Sequence, residues 1–427
     1  MTSSNQDLQE IATTILQEND RGDYTVPTDR LYPFQWNWDS CLTALGQRYV
    51  DAKRAWLEIE TLLAHQWPDG MVPHIVFHQD DENYFPGPAV WQTGRPVPTS
   101  GITQPPVLGY VMRRLFDEAE DKDLAIAKVK DLLPKAAAWH QWFYRCRDPE
   151  GTGLVAILHP WESGRDNSID WDDALAAVPG EGVEPYVRRD TQHVEASERP
   201  TSAEYDRYLW LVQRARHFDW DNSRLHDLLP FKMVDPGFNA ILIRSDRDLA
   251  VLAEAVGLDK LANEARERVK KAMAAIEALW HEGLGQYVCY DRAAGRLVES
   301  ASIAGLIPVL AGVAKSDRLA ARIAALLDRS PFGVASHDKN DPRYDGKRYW
   351  RGPSWLIVNS LLEDGLKQTG HHSIAKRVTE ASLALVKKGG FAEYYDPDSG
   401  KPHGGGRFTW TAAITLEILR RADKEAC

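Results

Sequence analysis

The chain has 427 residues, 43% apolar and 26% charged, an ordinary globular profile, and 15 of them are tryptophan. Its net charge of −11 argues against a nucleic-acid partner, because neutralising phosphates needs clustered Lys and Arg. No run of about 18 apolar residues exists to span a membrane.

The opening "MTSSNQDLQE" has no basic region followed by an apolar run, so no secretory signal is read there. A helix is expected over 8–18. Next comes "LYPFQWNWDSC" (31–41), where Tyr32, Phe34, Trp36 and Trp38 precede Asp39, a candidate cap for the helix that follows. Residues 39–66 read as two successive helices, with Trp56, Ile59, Leu62 and Leu63 at spacings of three and four. Further helices are expected over 103–119 and 125–148, with Pro134 as a kink or a start. The remaining candidates are 201–218, 222–232, 237–256, 259–280, 301–312, 316–328, 354–369, 372–388 and 409–422. The clearest strands are one hairpin over 287–299, with Gly295 in its turn.

Between helix pairs lie long irregular segments, 67–101, 149–200, 281–298, 330–353 and 389–408. Their Gly, Pro, aromatic and charged residues suit functional loops better than disorder. This rhythm fits a closed barrel of helical hairpins with the long loops at one mouth. It also fits an open solenoid, but no repeat of fixed length is present. No linker interrupts the chain, so residues 1–427 read as one domain. Cys41, Cys146, Cys289 and Cys427 are scattered, make no CxxC pair and stand at no zinc spacing from His. They read as free thiols of a reducing cytoplasm.

The segments with chemical potential are few. In "WESGRDNSIDWDD" (161–173) a single Asp166 sits between Gly164 and the hydrogen-bonding pair Asn167–Ser168. Trp161 and Trp171 could shelter it, and desolvation raises a carboxyl pKa toward that of a general acid. An acidic surface turn is the bland alternative. In "GGFAEYYDPDSGKPHGGGRFTWTAA" (389–413) Glu393 stands among Phe391, Tyr394 and Tyr395, before a glycine-rich loop that leads into the last helix. It is a candidate general base. "DPDSG" is too short for a calcium loop, and "GGG" follows no strand in GxGxxG form, so it is not read as a phosphate cradle. "KRYWRGPSW" (347–355) places Tyr349, Trp350 and Trp355 at another helix start. No metal-ligand set and no cofactor motif are visible. Paired carboxylates in an aromatic cup are what cleavage of a glycosidic bond needs.

Taken together, "FQWNWDS", "WESGRDNS", "YWRGPSW" and "FAEYYDPDSG…FTWTAA" resemble glycoside hydrolase family 63, and within it the short bacterial members that act on glucosylglycerate or mannosylglycerate. The resemblance runs almost end to end, and its ESG-D pattern is also similar to that of trehalases. It implies an all-α, (α/α)6-barrel fold and an inverting, α-specific mechanism. Asp166 is then the general acid and Glu393 the general base, about 6.5–9.5 Å apart. Trp36, Trp38, Asp39, Trp161, Gly164, Trp350 and Trp355 would shape the sugar pocket, with Tyr32, Tyr84, Gln104 and Tyr349. A glycerate carboxylate needs a cationic partner, and Arg199 with Tyr205 is the choice. Loops around 67–101 and 172–200 are candidate lids, 79–100 above all.

Three rivals stay open at this point. They are a trehalase-like glucosidase on di- or oligosaccharides, a sugar epimerase working through His337 or His403, and a binding module that holds sugar without cleaving it. The partner is in every case a small sugar, with self-association into a homo-oligomer left open.

Overall fold

Helices form where apolar residues recur at helical spacing and a capping group starts the turn. The computed structural model describes residues 4–29, 31–190 and 195–426. Cys427 and residues 191–194 of the 172–200 loop lie outside the described residues. In chain order the helices are α1 (Asn5–Glu18), α2 (Asn37–Gln47), α3 (Ala52–Ala64), α4 (Pro88–Trp91), α5 (Leu108–Asp117), α6 (Lys122–Arg147), α7 (Asp172–Ala176), α8 (Ser202–His217), α9 (Asn222–Leu228), α10 (Pro236–Ala255), α11 (Asp259–Ile276), α12 (Ser316–Leu327), α13 (Leu356–Gln368), α14 (His372–Gly389) and α15 (Thr409–Ala426). Ser4 with Asp7 and Thr201 with Glu204 form capping boxes on α1 and α8. Asp235 caps α10, whose first residue is Pro236.

The helices pack in two layers. An inner series, α2, α5, α10, the 3-10 helix Ile307–Ala311, α13 and α15, makes successive contacts, and α15 returns to α2. Outside it, α3 lies on α2, α6 on α5, α11 on α10, α12 on the 3-10 helix, α14 on α13 and α1 on α15. Burial separates the layers. Every residue of α2 is buried, whereas α11 buries only Ala262, Ala265, Ala272 and Ile276 along one stripe. Toward the C-terminal ends of the inner helices, Arg48, Arg114, Arg244 and Arg421 pair with Asp248, Glu363, Asp364 and Glu417. Their N-terminal ends carry the aromatic and acidic segments. Among the described residues no helix is long and apolar enough to cross a membrane.

Several boundaries differ from the sequence expectation. α6 runs through Pro134, which is neither a start nor a break. Pro134 and Lys130 are both exposed, so the carbonyl that loses its helical donor faces water. The helix expected over 103–119 begins only at Leu108, after Pro105 and Pro106. That over 301–312 is two 3-10 segments, Ile303–Gly305 and Ile307–Ala311. Pro308 has no N–H for a helical bond to Ala304. The hairpin around Gly295 is short, Tyr290–Asp291 with Arg296–Leu297, and Met233–Val234 adds a third strand. Asp39 does not cap α2. It is the third residue inside the helix, and Trp36 stands at the cap position with no side-chain bond. The largest difference lies in 389–408, where Ala392–Tyr395 pairs antiparallel with Pro402–Gly406. Glu393 therefore stands on a strand rather than in a loop.

Candidate active site

The segment around Asp166 is held by its neighbours' charges. Glu162 accepts from Arg147 Nη2 (2.8 Å) and from the Leu158 N–H (2.8 Å). Arg165 donates to Asp170 (2.9 Å) and to Asp235 (2.8 Å), the α10 cap. Asn167 Oδ1 accepts the Trp350 N–H (3.0 Å), and Arg351 forks onto Asp172 (2.7 and 2.8 Å). Glu162, Asp170 and Asp172 are thus spent on fixing the turn. Gly164 has φ +68°, and a Cβ there would meet the Trp38 ring at 2.8 Å. Only glycine lets the turn lie against that indole. Tyr208 donates to the Asp166 carbonyl (2.7 Å), and His159 Nε2 bonds the Tyr208 carbonyl (3.0 Å). Burial drives the His159 pKa down to about 3, so its ring stays neutral.

Glu393 is 1% exposed, and both of its oxygens are occupied. Tyr32 and Tyr349 donate their hydroxyls to Oε1 (3.1 and 3.2 Å). The Gly405 N–H (3.1 Å) and Arg199 Nη2 (3.4 Å) donate to Oε2. Arg199 also donates to the Tyr32 hydroxyl (2.9 Å) and lies 4.5 Å over the Tyr349 ring. A Cβ at Gly404 would come 2.3 Å from Glu393 Oε2, which explains a glycine at that strand position. The hairpin is anchored by paired backbone bonds between Ser354 and Tyr395 (2.8 and 3.0 Å).

Two joined cavities meet here. The inner one is lined by Trp38, Asp39, Gly164, Trp350, Glu393, Phe408 and Trp410 among others. The outer one is lined by His74, Asn83, Tyr84, Phe85, Trp161, Arg189, Asp190, Arg199 and Tyr205 among others. Tyr32, Trp36, Gln104, Asp166 and Tyr349 line both, so Asp166 stands at the junction. Gln104 is aimed by accepting the Trp38 N–H (3.2 Å).

The carboxyls differ in their surroundings. Burial is the main cause that pushes the Asp166 pKa up to about 7, with Glu393 adding to it and Arg199 opposing. Burial raises Glu393 too, but Arg199, the Gly405 N–H and the two tyrosines pull it back toward ionisation. Asp39 is raised well above the ordinary range by burial and by the Glu393 charge. Among the described residues no group of three or more His, Cys, Asp or Glu converges as a metal-ligand set.

Of the residues assigned to catalysis or sugar binding in the sequence, all but one line these cavities. Trp355 does not. It is fully buried, stacked on Trp350 (centroids 3.9 Å, 4° between planes) and on Tyr394 (4.7 Å, 25°). It backs the Trp350 platform instead of meeting sugar. Trp171 is likewise buried, with Nε1 donating to the Arg165 carbonyl (2.8 Å). We expect Trp355→Ala to destabilise the fold by roughly 3–5 kcal/mol, as large-to-small changes in a core do. Chemical denaturation checks this, and an unchanged midpoint would return Trp355 to the cavity wall. Sequence reasoning misses His74, Asn83, Phe85, Asp190, Tyr208, Phe408 and Trp410. The aromatic pair of "FTW" lies in a motif that assigns it no role, and the others carry no local pattern.

An aromatic-walled cavity with a carboxyl whose pKa burial raises at its waist and an ion-paired one in its depth suits one chemistry, cleavage of a bond between a sugar and its substituent. The class so defined is glycoside hydrolase. Comparison with known proteins narrows it. The chain belongs to the family described as the mannosylglycerate hydrolase MGH1-like glycoside hydrolase domain, whose profile matches residues 32–411. The chain is 49% identical to mannosylglycerate hydrolase MGH1 of Selaginella moellendorffii, over 96% of this chain and 85% of that one. It is 33% identical to the glucosylglycerate hydrolase of Mycolicibacterium hassiacum, over 96% of each. The crystal structure of the family 63 mannosylglycerate hydrolase of Thermus thermophilus, in complex with Tris and D-glycerate, superposes with a TM-score of 0.93. It is 44% identical and covers 96% of this chain and 99% of its own.

Proposed function

We propose that this glycoside hydrolase cleaves a small α-hexosylglycerate, mannosylglycerate before glucosylglycerate, to free hexose and glycerate with inversion. The observation that carries the reading is the end-to-end likeness to a glycerate-bound hydrolase at 44% identity, joined to an outer cavity with arginines at its wall. The two-layer ring of helices is read as an (α/α)6 barrel, and the chain as one catalytic domain acting in the cytoplasm.

In this reading each cavity takes one half of the substrate. The hexose sits in the inner cavity, between Trp38 and Trp350 and above Glu393. The indole N–H groups of Trp36 and Trp410 have no partner among the described residues and are donors for its hydroxyls. Asp39, whose pKa burial and the Glu393 charge raise, is a further hydrogen-bonding group for them. The glycerate sits in the outer cavity against Arg199 and Tyr205. The glycosidic oxygen then falls at the junction, beside Asp166. In its protonated form Asp166 gives its proton to that oxygen as the bond to the anomeric carbon breaks. Glu393, ionised and held on both oxygens, takes a proton from a water that attacks the opposite face. The attack from the far side is what inverts the anomeric centre.

Proton NMR of the protein with α-mannosylglycerate, α-glucosylglycerate and trehalose tests this. We expect β-hexose to appear first, and from the glycerate glycosides only. First release of the α-anomer would refute inversion, and release from trehalose alone would favour the trehalase-like reading. The epimerase reading loses its basis, since His337 pairs with Asp341 (2.9 Å) and His403 with Glu198 (2.7 Å), and neither lines a cavity.

Residues 79–100 include Asn83–Pro86 of the outer wall, so their closure over the aglycone would exclude bulk water. We expect limited proteolysis within 79–100 to slow when substrate is bound to an inactive variant. Equal cleavage rates would sink the lid.

A further inference from the structure

Oxygen Oε2 of Glu393 is held by two groups from distant parts of the chain, Arg199 Nη2 and the Gly405 N–H. The residues just before each are themselves joined. Glu198 closes the 3-10 helix Ala196–Glu198, directly ahead of Arg199. His403 stands on the strand Pro402–Gly406, two residues ahead of Gly405. His403 Nδ1 bonds Glu198 Oε1 at 2.7 Å, with His403 6% and Glu198 8% exposed. An ionised carboxylate only accepts, so the ring nitrogen donates. The other Glu198 oxygen accepts the Tyr394 hydroxyl (3.4 Å). Tyr394 faces His403 across the hairpin, with the two rings stacked 14° apart at 5.9 Å. His403 Nε2 has no partner among the described residues, so the contact to Glu198 is the ring's hydrogen bond.

From this closed circuit we propose that Glu198 and His403 are positioning residues for Glu393: their bond pins the Arg199 segment to the Gly404–Gly405 strand so that both donors converge on Oε2. The inference rests on the reading of Glu393 as the general base. Neither residue lines the inner or the outer cavity, so neither is placed to touch a sugar bound there. Without the pin, the 3-10 turn and the strand are tied through the carboxylate they are meant to hold and, less directly, through the long Tyr394 bond to Glu198. Arg199 is held at the same time by the Tyr32 hydroxyl and the Tyr349 ring, so it keeps those partners if its longer contact to Oε2 is lost. The groups facing Glu393 are Arg199, Tyr32 and Tyr349, with Asp39 and Asp166 as the neighbouring acids. Loss of Arg199 and Gly405 from Oε2 therefore removes two of the four donors that favour its ionised form and leaves the two tyrosines alone against burial, which opposes it.

The test compares His403→Leu, His403→Asn and Glu198→Gln with the unaltered chain, with Glu393→Gln as control. Leu removes the donor. Asn places an amide N–H where Nδ1 stood. We expect His403→Leu to lower kcat by about 10²-fold, the size of loss that a misplaced catalytic group brings, with KM little changed. The acid limb of its kcat profile should move to higher pH, because the base then ionises less readily. His403→Asn should recover most of the rate and return the limb. Glu198→Gln keeps an acceptor for His403 and should fall between the two, which covers a Leu variant that folds poorly. A lowered kcat with the limb unmoved in both His403→Leu and Glu198→Gln would overturn the pin. Activity retained by Glu393→Gln would instead overturn the reading of Glu393 on which it rests.

Discussion

Replacing Asp166 with Asn lowers kcat on mannosylglycerate by roughly 10²–10⁴-fold, the range that one general acid supplies, and leaves ground-state binding intact. Asn keeps the size of the side chain, and the turn around it does not depend on its carboxyl. Arg165, Asn167 and Tyr208 hold that turn through other atoms. The loss should depend on the leaving group. Glycerate leaves as an alkoxide-like oxygen and needs the proton. A dinitrophenolate does not, so the penalty should shrink sharply on a dinitrophenyl α-mannoside. Steady-state rates on both substrates decide it. An equal loss on both would mean that Asp166 does something other than protonate the departing oxygen.

Replacing Glu393 with Gln is the second large effect, again roughly 10²–10⁴-fold in kcat, but now equal on both substrates. Water must be activated whatever departs. The unaltered protein should show a bell-shaped pH dependence with its optimum on the acid side of pH 7. The alkaline limb comes from Asp166, which must be protonated and loses its proton as pH passes about 7. The acid limb comes from Glu393, which must be ionised. Burial lifts that limb above the ordinary glutamate range while Arg199 and Gly405 restrain it. Asp166→Asn should abolish the alkaline limb and keep the acid one. A residual rate that still falls above pH 7 in that variant would assign the limb to another group.

The site is legible in the sequence to the extent that its parts are local. Gly164 before Asp166, the aromatic run before Asp39 and the Tyr349–Trp350 pair before Pro353 are short patterns whose geometry neighbours in sequence enforce. Glu393 stands out for its aromatic flanks, yet its strand does not, because three glycines in the partner strand argue against pairing. The cost of those glycines is recovered where Gly404 lets the strand lie against the carboxylate and Gly405 presents its N–H. Pattern alone does not tell Trp355 from Trp350. Both are tryptophans at a helix start, and only packing against Tyr394 turns one inward.

By itself the sequence determined the helices, through apolar spacing, capping residues and proline stops, and which short segments carry acids among aromatics. Membership of the family followed from the order of those segments. What only the tertiary structure decided is which groups share an atom. Tyr32 and Glu393 are 361 residues apart, Arg199 and Glu393 194, and Glu198 and His403 205. No local preference couples such positions. They meet because the inner helices bring their N-terminal ends to one mouth, where burial raises the acids and a few long-range donors decide which of them ionises.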